Sequence, residues 1–269
     1  MAPNTSVEQL YGELWAEGSP LDHELGQSLE PRGTDWLFEA FAALGPQPGQ
    51  VVVDVGARDA RHTIRLVQEH GLRGIAVDPV AHHVELARRA VADAGVEIDV
   101  LQAGIESMPL DDSSVDWIWC RDVLVHVDVE RGLAECARIL RPGAQLLAYV
   151  TCSTDTLEPQ EAERLFSALA VVPASTQPAT IERSAERAGL TLVSRTELGG
   201  EWRERMIEEG SWDPKDDLLR LSRLHRRAAE LTERYGDAAV SSDAAGRMWG
   251  VYQLLGKLRP TVYLWRRDA

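Results

Sequence analysis

The sequence predicts an α/β fold with a seven-stranded, mostly parallel sheet, helices on both faces and a helical cap. Short apolar runs alternate with segments of helical periodicity, and glycine and proline separate them. The runs are apolar at consecutive positions, which is typical of strands covered on both faces. Strands that alternate with helices form right-handed βαβ units, so most of the strands should be parallel.

The first strand is the run at 51–55, which follows a turn-rich segment at 45–49. Further apolar runs predict strands at 74–78, 96–101, 115–120, 145–150, 190–196 and 261–265. Helical spacing predicts helices at 60–69, 81–94 and 133–140.

Two regions fall outside this alternation. The predicted organisation is an N-terminal helical cap segment (1–44), a core (45–200), a helical insertion (201–258) and a final strand (259–269). Because long connections tend to carry function, we interpret the two outlying helical regions as a cap over the carboxyl edge of the sheet. A dimer interface or a solvated helical hairpin is the alternative.

Composition narrows the function classes. The chain has 269 residues and a net charge of -15, which disfavours nucleic acid and anionic membranes as partners. Its three cysteines show no CxxC spacing, so neither a disulfide framework nor a zinc site is expected. Residues 1–10 lack the features of a signal peptide, and no apolar run is long enough to span a membrane. We therefore expect a cytoplasmic protein, as a monomer or a homodimer.

The turn after the first strand is the predicted ligand site, because open parallel sheets bind ligands beyond the carboxyl ends of their strands. Gly56 permits a tight turn and a close backbone approach. Asp78 ends the second strand, 24 residues after Asp54, where an acidic side chain can accept hydrogen bonds from ribose hydroxyls. This pattern fits any adenosine-type ligand, NAD included, although the GxGxxG motif of nicotinamide enzymes is absent.

Four further segments identify a family by their order. They are Gly-Ile-Glu-Ser-Met-Pro-Leu at 104–110, Asp-Ser-Ser-Val-Asp-Trp-Ile-Trp-Cys at 112–120, Arg-Asp-Val-Leu-Val-His at 121–126 and Arg-Ile-Leu-Arg-Pro-Gly at 138–143. This order resembles the class I S-adenosylmethionine-dependent methyltransferases, in particular the small-molecule group with a methyltransferase type-11 domain. The resemblance covers 51–150 well, extends more loosely to the last strands, and implies a Rossmann-like core with S-adenosylmethionine as cofactor.

The resemblance also implies cofactor contacts. The residues that it places at the cofactor are Asp54 and Gly56 beneath the methionine moiety, Asp78 at the ribose, Pro79, Val80, Ile105 and Met108 around the adenine, and the Cys120 backbone at the methionine amine. Glu106 is a further predicted cofactor contact. Ile105 would donate its backbone N–H to the adenine ring, with Met108 on the other face. Tyr11 lies in a segment that folds over the cofactor in similar enzymes.

The turn departs from the family pattern at two positions. Arg58 and Ala60 replace two further glycines. Arg58 can pair with the methionine carboxylate, or it can block the usual approach of the cofactor. We favour the pairing, because the run 58–62 resembles a variant turn found in some members.

Asp122 and His126 follow the fourth strand, near the expected position of the transferable methyl group. Either could act as a general base, with a packed, hydrogen-bonded helix residue as the alternative for His126. No convincing set of metal ligands is present in the sequence. Trp202, Trp212, Trp249 and Tyr252 are candidates for a substrate pocket or for the core.

The expected function is methylation of a small molecule at oxygen, nitrogen or carbon. Because of the altered turn, the alternative is a cofactor-binding scaffold or a non-methylating enzyme on the same fold. A third hypothesis is that the chain is a nicotinamide-dependent enzyme.

Overall fold

A computed structural model of the chain describes residues 6–14 and 20–268. The chain forms two compact units, Met1–Pro31 and Arg32–Ala269. The first unit contains helix α1 (Val7–Gln9), a π-helical turn (Leu10–Leu14) and helix α2 (Pro20–Leu25). Residues 1–5 and 15–19 of the predicted N-terminal segment lie outside the described residues.

The second unit is built on one seven-stranded sheet in the order β3-β2-β1-β4-β5-β7-β6. Its strands are β1 (Val51–Val55), β2 (Arg73–Asp78), β3 (Ile98–Gln102), β4 (Val115–Arg121), β5 (Leu140–Ser153), β6 (Leu190–Glu197) and β7 (Leu258–Arg267). All neighbours pair in parallel except β7, which runs antiparallel to both β5 and β6. The predicted seven-stranded, mostly parallel sheet is confirmed.

Helices surround this sheet. They are α3 (Thr34–Ala42), α4 (Arg61–His70), α5 (Ala81–Ala94), α6 (Val129–Ile139), α7 (Pro159–Ala168), α8 (Pro178–Arg187), α9 (Glu201–Glu208), α10 (Pro214–Arg226), α11 (Ala228–Tyr235) and α12 (Asp237–Leu254). Two short 3-10 turns lie at Leu124–His126 and Pro173–Thr176. None of the helices in the described part of the chain combines the length and the apolar character needed to cross a membrane.

The apolar run of β1 supplies both faces of the core. Alternation along the strand sends Val52 to one buried cluster, and Val53 and Val55 to another. Full burial of each such side chain contributes about 1.5–3 kcal/mol, so the strand is fixed in register by its own sequence.

Helix α3 belongs to the unit that holds the sheet, which begins at Arg32 and not at the predicted boundary after residue 44. Phe38 and Phe41 are almost fully buried, and Phe38 stacks on Trp119 of β4 with ring centroids 4.7 Å apart. Aromatic burial of this kind ties α3 to the central strands.

Four helices, α9 to α12, fill the long connection between β6 and β7. Helix α9 is fixed at its start by Glu201, which forms an ion pair with Arg32 and accepts hydrogen bonds from its Nε and Nη2. Trp202 and Gln253, from the two ends of this connection, are both buried. Helices α9 and α12 therefore pack onto the sheet and contribute side chains to its interior, while α10 and α11 pack against α12.

Candidate functional site

The strand order reverses between β1 and β4, and the turn that follows β1 lies at this switch point. Gly56 has φ +71°, and a β-carbon built on it would lie 2.2 Å from Cγ2 of Val123. The amides of Gly56 and Ala57 both donate to the Val77 carbonyl of β2. The turn is thereby drawn down onto the sheet, and glycine is required at its tightest point.

The two residues that replace glycines in this turn keep a glycine-like conformation. Arg58 has φ +51° and Ala60 has φ +57°. Ala60 precedes α4 and provides no side-chain cap, so the first N–H groups of the helix remain available to an anion. The Arg58 side chain is exposed and forms no ion pair within the described residues.

Asp54 lies beneath this turn and is almost fully buried. Its Oδ2 accepts a hydrogen bond of 2.6 Å from the Thr63 hydroxyl of α4. Burial raises the pKa of Asp54 to about 7, and the Thr63 hydrogen bond and the nearby Arg121 only partly offset this. The carboxyl group at the base of the site is therefore poised between its two protonation states near neutral pH.

Asp78 is also buried, at the end of β2. It accepts the backbone N–H groups of Arg58 at 3.0 Å and Val80 at 2.9 Å, and His83 Nδ1 lies 3.1 Å from its Oδ1. A carboxylate offers about four lone-pair positions, so one remains for a ligand hydroxyl. Pro79 and Val80 are exposed beside it, as an adenine-binding surface requires.

The other predicted adenine contacts lie deeper than the sequence suggests. The side chains of Ile105 and Met108 are buried in the core, and the Met108 amide donates to Glu135 Oε1 at 2.6 Å. Glu106 is half-buried, with an oxygen 3.6 Å from Arg131. Of this segment, backbone groups and Glu106 are the parts that remain for a ligand.

A cavity of about 290 Å³ opens beside the β1 turn. The turn contributes Asp54, Gly56 and Arg58, the end of β4 contributes Arg121, and α9 contributes Trp202 and Arg203. Gln253 of α12 and Tyr149 of β5 complete its inner wall. The cavity thus joins the predicted cofactor turn to the long helical connection.

Arg121 lies in this cavity with its positive charge unpaired. Its Nη1 is 3.2 Å from His62 Nε2, and its guanidinium lies 5.4 Å from the Trp202 ring and 5.9 Å from the Tyr149 ring. It forms no ion pair within the described residues. Burial, followed by the charge of Arg121, lowers the pKa of His62 to about 4, so the imidazole is neutral at pH 7.

Arg203 is, with Arg58 and Arg121, another guanidinium of the cavity without an ion pair in the described part of the chain. Its Nε donates to Gln253 Oε1 at 2.6 Å, and it lies 5.0 Å from the Trp212 ring. It also forms no ion pair in the described part of the chain, and burial lowers its pKa. Arg121 and Arg203 are thus two half-buried cations without a direct carboxylate partner, in a cavity that Asp54 and Asp122 also line, and such guanidinium groups can bind an anion.

The two predicted catalytic residues occupy different places. Asp122 lines the cavity and has a left-handed backbone conformation with φ +57°. Its Oδ1 accepts a hydrogen bond of 3.0 Å from the Thr151 amide. Burial raises the pKa of Asp122. His126 is exposed and outside the cavity lining, with Nδ1 3.2 Å from the Ala170 carbonyl. Cys120 is buried at the end of β4, where only its backbone could face a ligand.

The remaining sequence candidates also separate. Of the four aromatic residues proposed for a pocket, Trp202 lines the cavity and Trp212 packs behind it on Arg203, whereas Trp249 and Tyr252 lie elsewhere. Tyr11 belongs to the first unit, is exposed, and stays a prediction. Among the described residues, no group of three His, Cys, Asp or Glu side chains could hold a metal ion.

Sequence reasoning missed Arg121, Arg203, Tyr149 and Gln253. Arg121 stands directly after a strand predicted to end at the site, so its position was a usable signal. Tyr149 reads as an ordinary strand residue. Arg203 and Gln253 reach the cavity only through long-range packing of α9 and α12, which no local pattern indicates.

The chain matches known proteins over this region. A family described as a methyltransferase domain matches residues 53–148. An uncharacterised methyltransferase of Mycobacterium tuberculosis is 37% identical over 119 residues, which is 44% of this chain and 44% of that protein. The match to this relative thus spans less than half of its length.

A second relative matches almost end to end. A dimethylglycine N-methyltransferase of Parasynechococcus marenigrum is 29% identical over 268 residues, covering 92% of this chain and 91% of that protein.

Two solved structures share the fold. One, provisionally described as a sarcosine dimethylglycine methyltransferase from Galdieria sulphuraria, has a TM-score of 0.66 at 18% identity and covers 87% of this chain and 84% of that chain. The other is the geranyl diphosphate C-methyltransferase of Streptomyces coelicolor, with a TM-score of 0.66 at 11% identity, covering 87% of this chain and 78% of that chain.

Proposed function

We propose that this chain, whose residues 53–148 form a class I S-adenosylmethionine-dependent methyltransferase domain, methylates the nitrogen of a small aliphatic amine that also carries a carboxylate. The observation that supports this most directly is the pair of unpaired guanidinium groups, Arg121 and Arg203, beside aromatic rings in a cavity next to the cofactor turn. The end-to-end match to a dimethylglycine N-methyltransferase agrees with it.

The residues of the turn fit S-adenosylmethionine. Gly56 leaves no room for a β-carbon against Val123, and the uncapped start of α4 offers N–H groups to the methionine carboxylate. The exposed Arg58 would pair with the same carboxylate. Asp78 keeps one lone pair for a ribose hydroxyl, beside the apolar surface of Pro79 and Val80. When bound, the cofactor supplies a methyl group activated by the positive charge of its sulfur.

The acceptor would be held through its carboxylate. Arg121 and Arg203 project from different elements, β4 and α9, into the same cavity. Each guanidinium presents planar donors suited to a carboxylate, and partial burial strengthens the attraction. Anchoring one end of a small molecule in this way fixes the direction of its nitrogen, and positioning supplies much of the rate in a transfer reaction.

The nitrogen would lie near Tyr149 and Trp202. Their ring centroids are 4.9 Å apart, and both side chains are almost fully buried. An amine gains positive charge as it is methylated, and aromatic faces and the half-buried Asp122 stabilise that charge. A neutral amine needs no base to attack, so this assignment does not require His126, whose role stays a prediction.

The size of the cavity favours a small acceptor. At about 290 Å³ it lies at the lower end of the ~300–1,000 Å³ typical of ligand pockets, and part of it adjoins the cofactor turn. A prenyl diphosphate, the acceptor of the Streptomyces structural neighbour, carries a long apolar tail for which this polar wall offers no match.

Matched acceptors test the proposal. Purified protein is incubated with S-adenosylmethionine and either sarcosine, dimethylglycine or 2-(dimethylamino)ethanol, and S-adenosylhomocysteine and methylated product are measured by mass spectrometry. We expect turnover of the two carboxylates and much weaker turnover of the alcohol, which lacks the carboxylate. Arg203→Met should raise the KM for the acceptor by about 10- to 100-fold, because it removes one charge-assisted hydrogen bond to the acceptor carboxylate. Cofactor binding, measured by calorimetry, should change little.

Two outcomes would contradict the proposal. Equal turnover of the alcohol and the carboxylates would remove the role assigned to the arginines. Tight cofactor binding without methylation of any amine would instead favour a cofactor-binding scaffold or an enzyme that does not transfer methyl groups.

A further inference from the structure

Arg121 and Arg203, two of the four arginines that line the cavity, are held by neutral side chains. Arg121 Nη1 lies 3.2 Å from His62 Nε2, and Arg203 Nε donates to Gln253 Oε1 at 2.6 Å. Elsewhere the chain orients its arginines with carboxylates, as at Arg32 with Glu201 and at Arg138 with Glu135. Neither Arg121 nor Arg203 is therefore paired with a carboxylate in direct contact, although Asp54 and Asp122 line the same cavity.

The chemistry of the donors fixes the orientation of both holding groups. A guanidinium only donates hydrogen bonds, so the Gln253 atom that faces Arg203 must be the amide oxygen. For the same reason His62 Nε2 must be an acceptor, which leaves the ring proton on Nδ1 and the imidazole neutral.

The other end of the Gln253 amide is also engaged. Gln253 is 1% exposed, and its Nε2 donates to the Thr151 hydroxyl at 3.3 Å. The Thr151 amide in turn donates to Asp122 Oδ1 at 3.0 Å. A buried chain of hydrogen bonds thus links Arg203 on one wall of the cavity to Asp122 on another, with both ends of the Gln253 amide satisfied.

We propose that Gln253 is a positioning residue for the acceptor site: it fixes Arg203 in the cavity without neutralising it, so that the guanidinium is free to bind an anionic group of the substrate. His62 plays the same part for Arg121. The assignment to an acceptor carboxylate rests on the proposed function, whereas the effect on anion binding can be measured without turnover.

Replacing Gln253 with glutamate separates charge from shape. Gln253→Glu has nearly the same size and can still accept from Arg203, but it adds a negative charge that pairs with the guanidinium. We expect the KM for dimethylglycine to rise roughly 10- to 100-fold, as when a charge-assisted contact is lost. The KM for 2-(dimethylamino)ethanol should rise much less than the KM for dimethylglycine, because the alcohol has no carboxylate to bind Arg203. The Kd for S-adenosylmethionine should stay within about twofold, a variation that corresponds to well under 1 kcal/mol.

Two controls accompany this variant. Gln68→Glu makes the same chemical change on the exposed surface of α4 and should leave the KM unchanged. Gln253→Leu removes the hydrogen bond to Arg203 without adding charge, so it should also raise the dimethylglycine KM, by a smaller factor. Equal losses on the carboxylate and alcohol acceptors, or no change in the dimethylglycine KM, would overturn the proposal.

Anion binding provides a readout independent of methyl transfer. Trp202 lies 5.4 Å from Arg121, so acetate entering the cavity should change tryptophan fluorescence in a saturable manner. We expect this response in the wild type and in Gln68→Glu and its loss in Gln253→Glu, with folding verified by circular dichroism. An identical acetate response in Gln253→Glu and wild type, or none in the wild type, would refute the positioning role. Failure of methylation alone, with acetate binding as expected, would refute only the proposed function.

Discussion

Gly56 and Val123 approach each other so closely that any side chain at position 56 would collide: a β-carbon there would lie 2.2 Å from Val123 Cγ2. The contact joins the turn after β1 to the segment after β4, the two strands that flank the switch point. The floor of the predicted cofactor cleft is therefore formed by a contact between two separate parts of the chain.

Gly56→Ala should destabilise the fold and abolish cofactor binding. The left-handed conformation alone costs an alanine about 1–2 kcal/mol, and the collision with Val123 adds to it. We expect a total loss above ~2 kcal/mol in the free energy of unfolding, measured with urea, and no detectable heat of binding with S-adenosylmethionine.

Two comparisons separate the causes. Gly95→Ala has a similar φ of +65° with nothing within 4 Å of the new β-carbon, so it should show the conformational cost alone. Gly56→Ala combined with Val123→Ala should regain part of the stability. Equal losses in Gly56→Ala and Gly95→Ala would mean that the approach of Val123 is unimportant.

Arg58→Gly should stabilise the free protein and weaken cofactor binding. Arg58 pays a conformational cost at φ +51°, and glycine removes about 1 kcal/mol of it. If the guanidinium pairs with the methionine carboxylate, its loss should raise the Kd for S-adenosylmethionine about 10-fold or more. Thermal unfolding and calorimetric titration measure the two effects separately.

Ala170→Gly is the matched control, since Ala170 is exposed with φ +52° and lies outside the cavity lining. It should show the gain in stability without the loss of affinity. Tighter cofactor binding in Arg58→Gly would support the opposite role, in which Arg58 obstructs the turn.

The sheet and the cofactor turn could be predicted because they depend on local signals. Consecutive apolar residues identify β1, and Gly56 and Asp78 stand at positions that the geometry of parallel sheets makes functional. The cavity wall to which we assign the acceptor could not be predicted in this way. Whether Arg203 is paired or free depends on which side chains α12 brings next to it, and Gln253 does so across 50 residues.

Burial also decides whether the side chains that the sequence places near the site can reach a ligand. Met108 stands in the expected segment, but its side chain is 4% exposed and packs into the core. His126 follows β4 as expected, but the 3-10 turn leaves it exposed beside the Ala170 carbonyl. The direction of a side chain is set by packing against neighbouring elements, which the order of residues alone does not specify.

Asp78→Asn should weaken cofactor binding even though it preserves size. Both carboxylate oxygens of Asp78 accept backbone N–H groups, from Arg58 and Val80. An asparagine has only one acceptor oxygen, so its NH₂ group must face a backbone donor. We expect a loss of about 1–3 kcal/mol in the binding free energy of S-adenosylmethionine, measured by calorimetry.

Asp99→Asn, on the exposed face of β3, makes the same change in charge and should leave the affinity unaffected. An Asp78→Asn variant with wild-type affinity would contradict the ribose-binding role.

Asp54→Asn should stabilise the ligand-free protein at neutral pH and above. The pKa of Asp54 is about 7 in the folded chain against 3.8 when exposed, because burial penalises the charged form. The folded state therefore binds a proton that the unfolded state releases, and this contribution to stability is lost as the pH rises from about 4 to about 7. Asparagine carries no charge at any pH and can still accept the Thr63 hydrogen bond.

The stability difference between Asp54→Asn and wild type should thus be small at pH 4, grow through neutrality and level off above pH 7 at roughly 3–5 kcal/mol. Urea unfolding at a series of pH values measures it. A difference that does not vary with pH would show that Asp54 keeps an ordinary pKa.

The affinity for the cofactor should also depend on pH, because a bound sulfonium favours the ionised carboxylate of Asp54. S-adenosylmethionine should bind more tightly as the pH rises in the wild type but not in Asp54→Asn, and its neutral analogue S-adenosylhomocysteine should show a weaker trend.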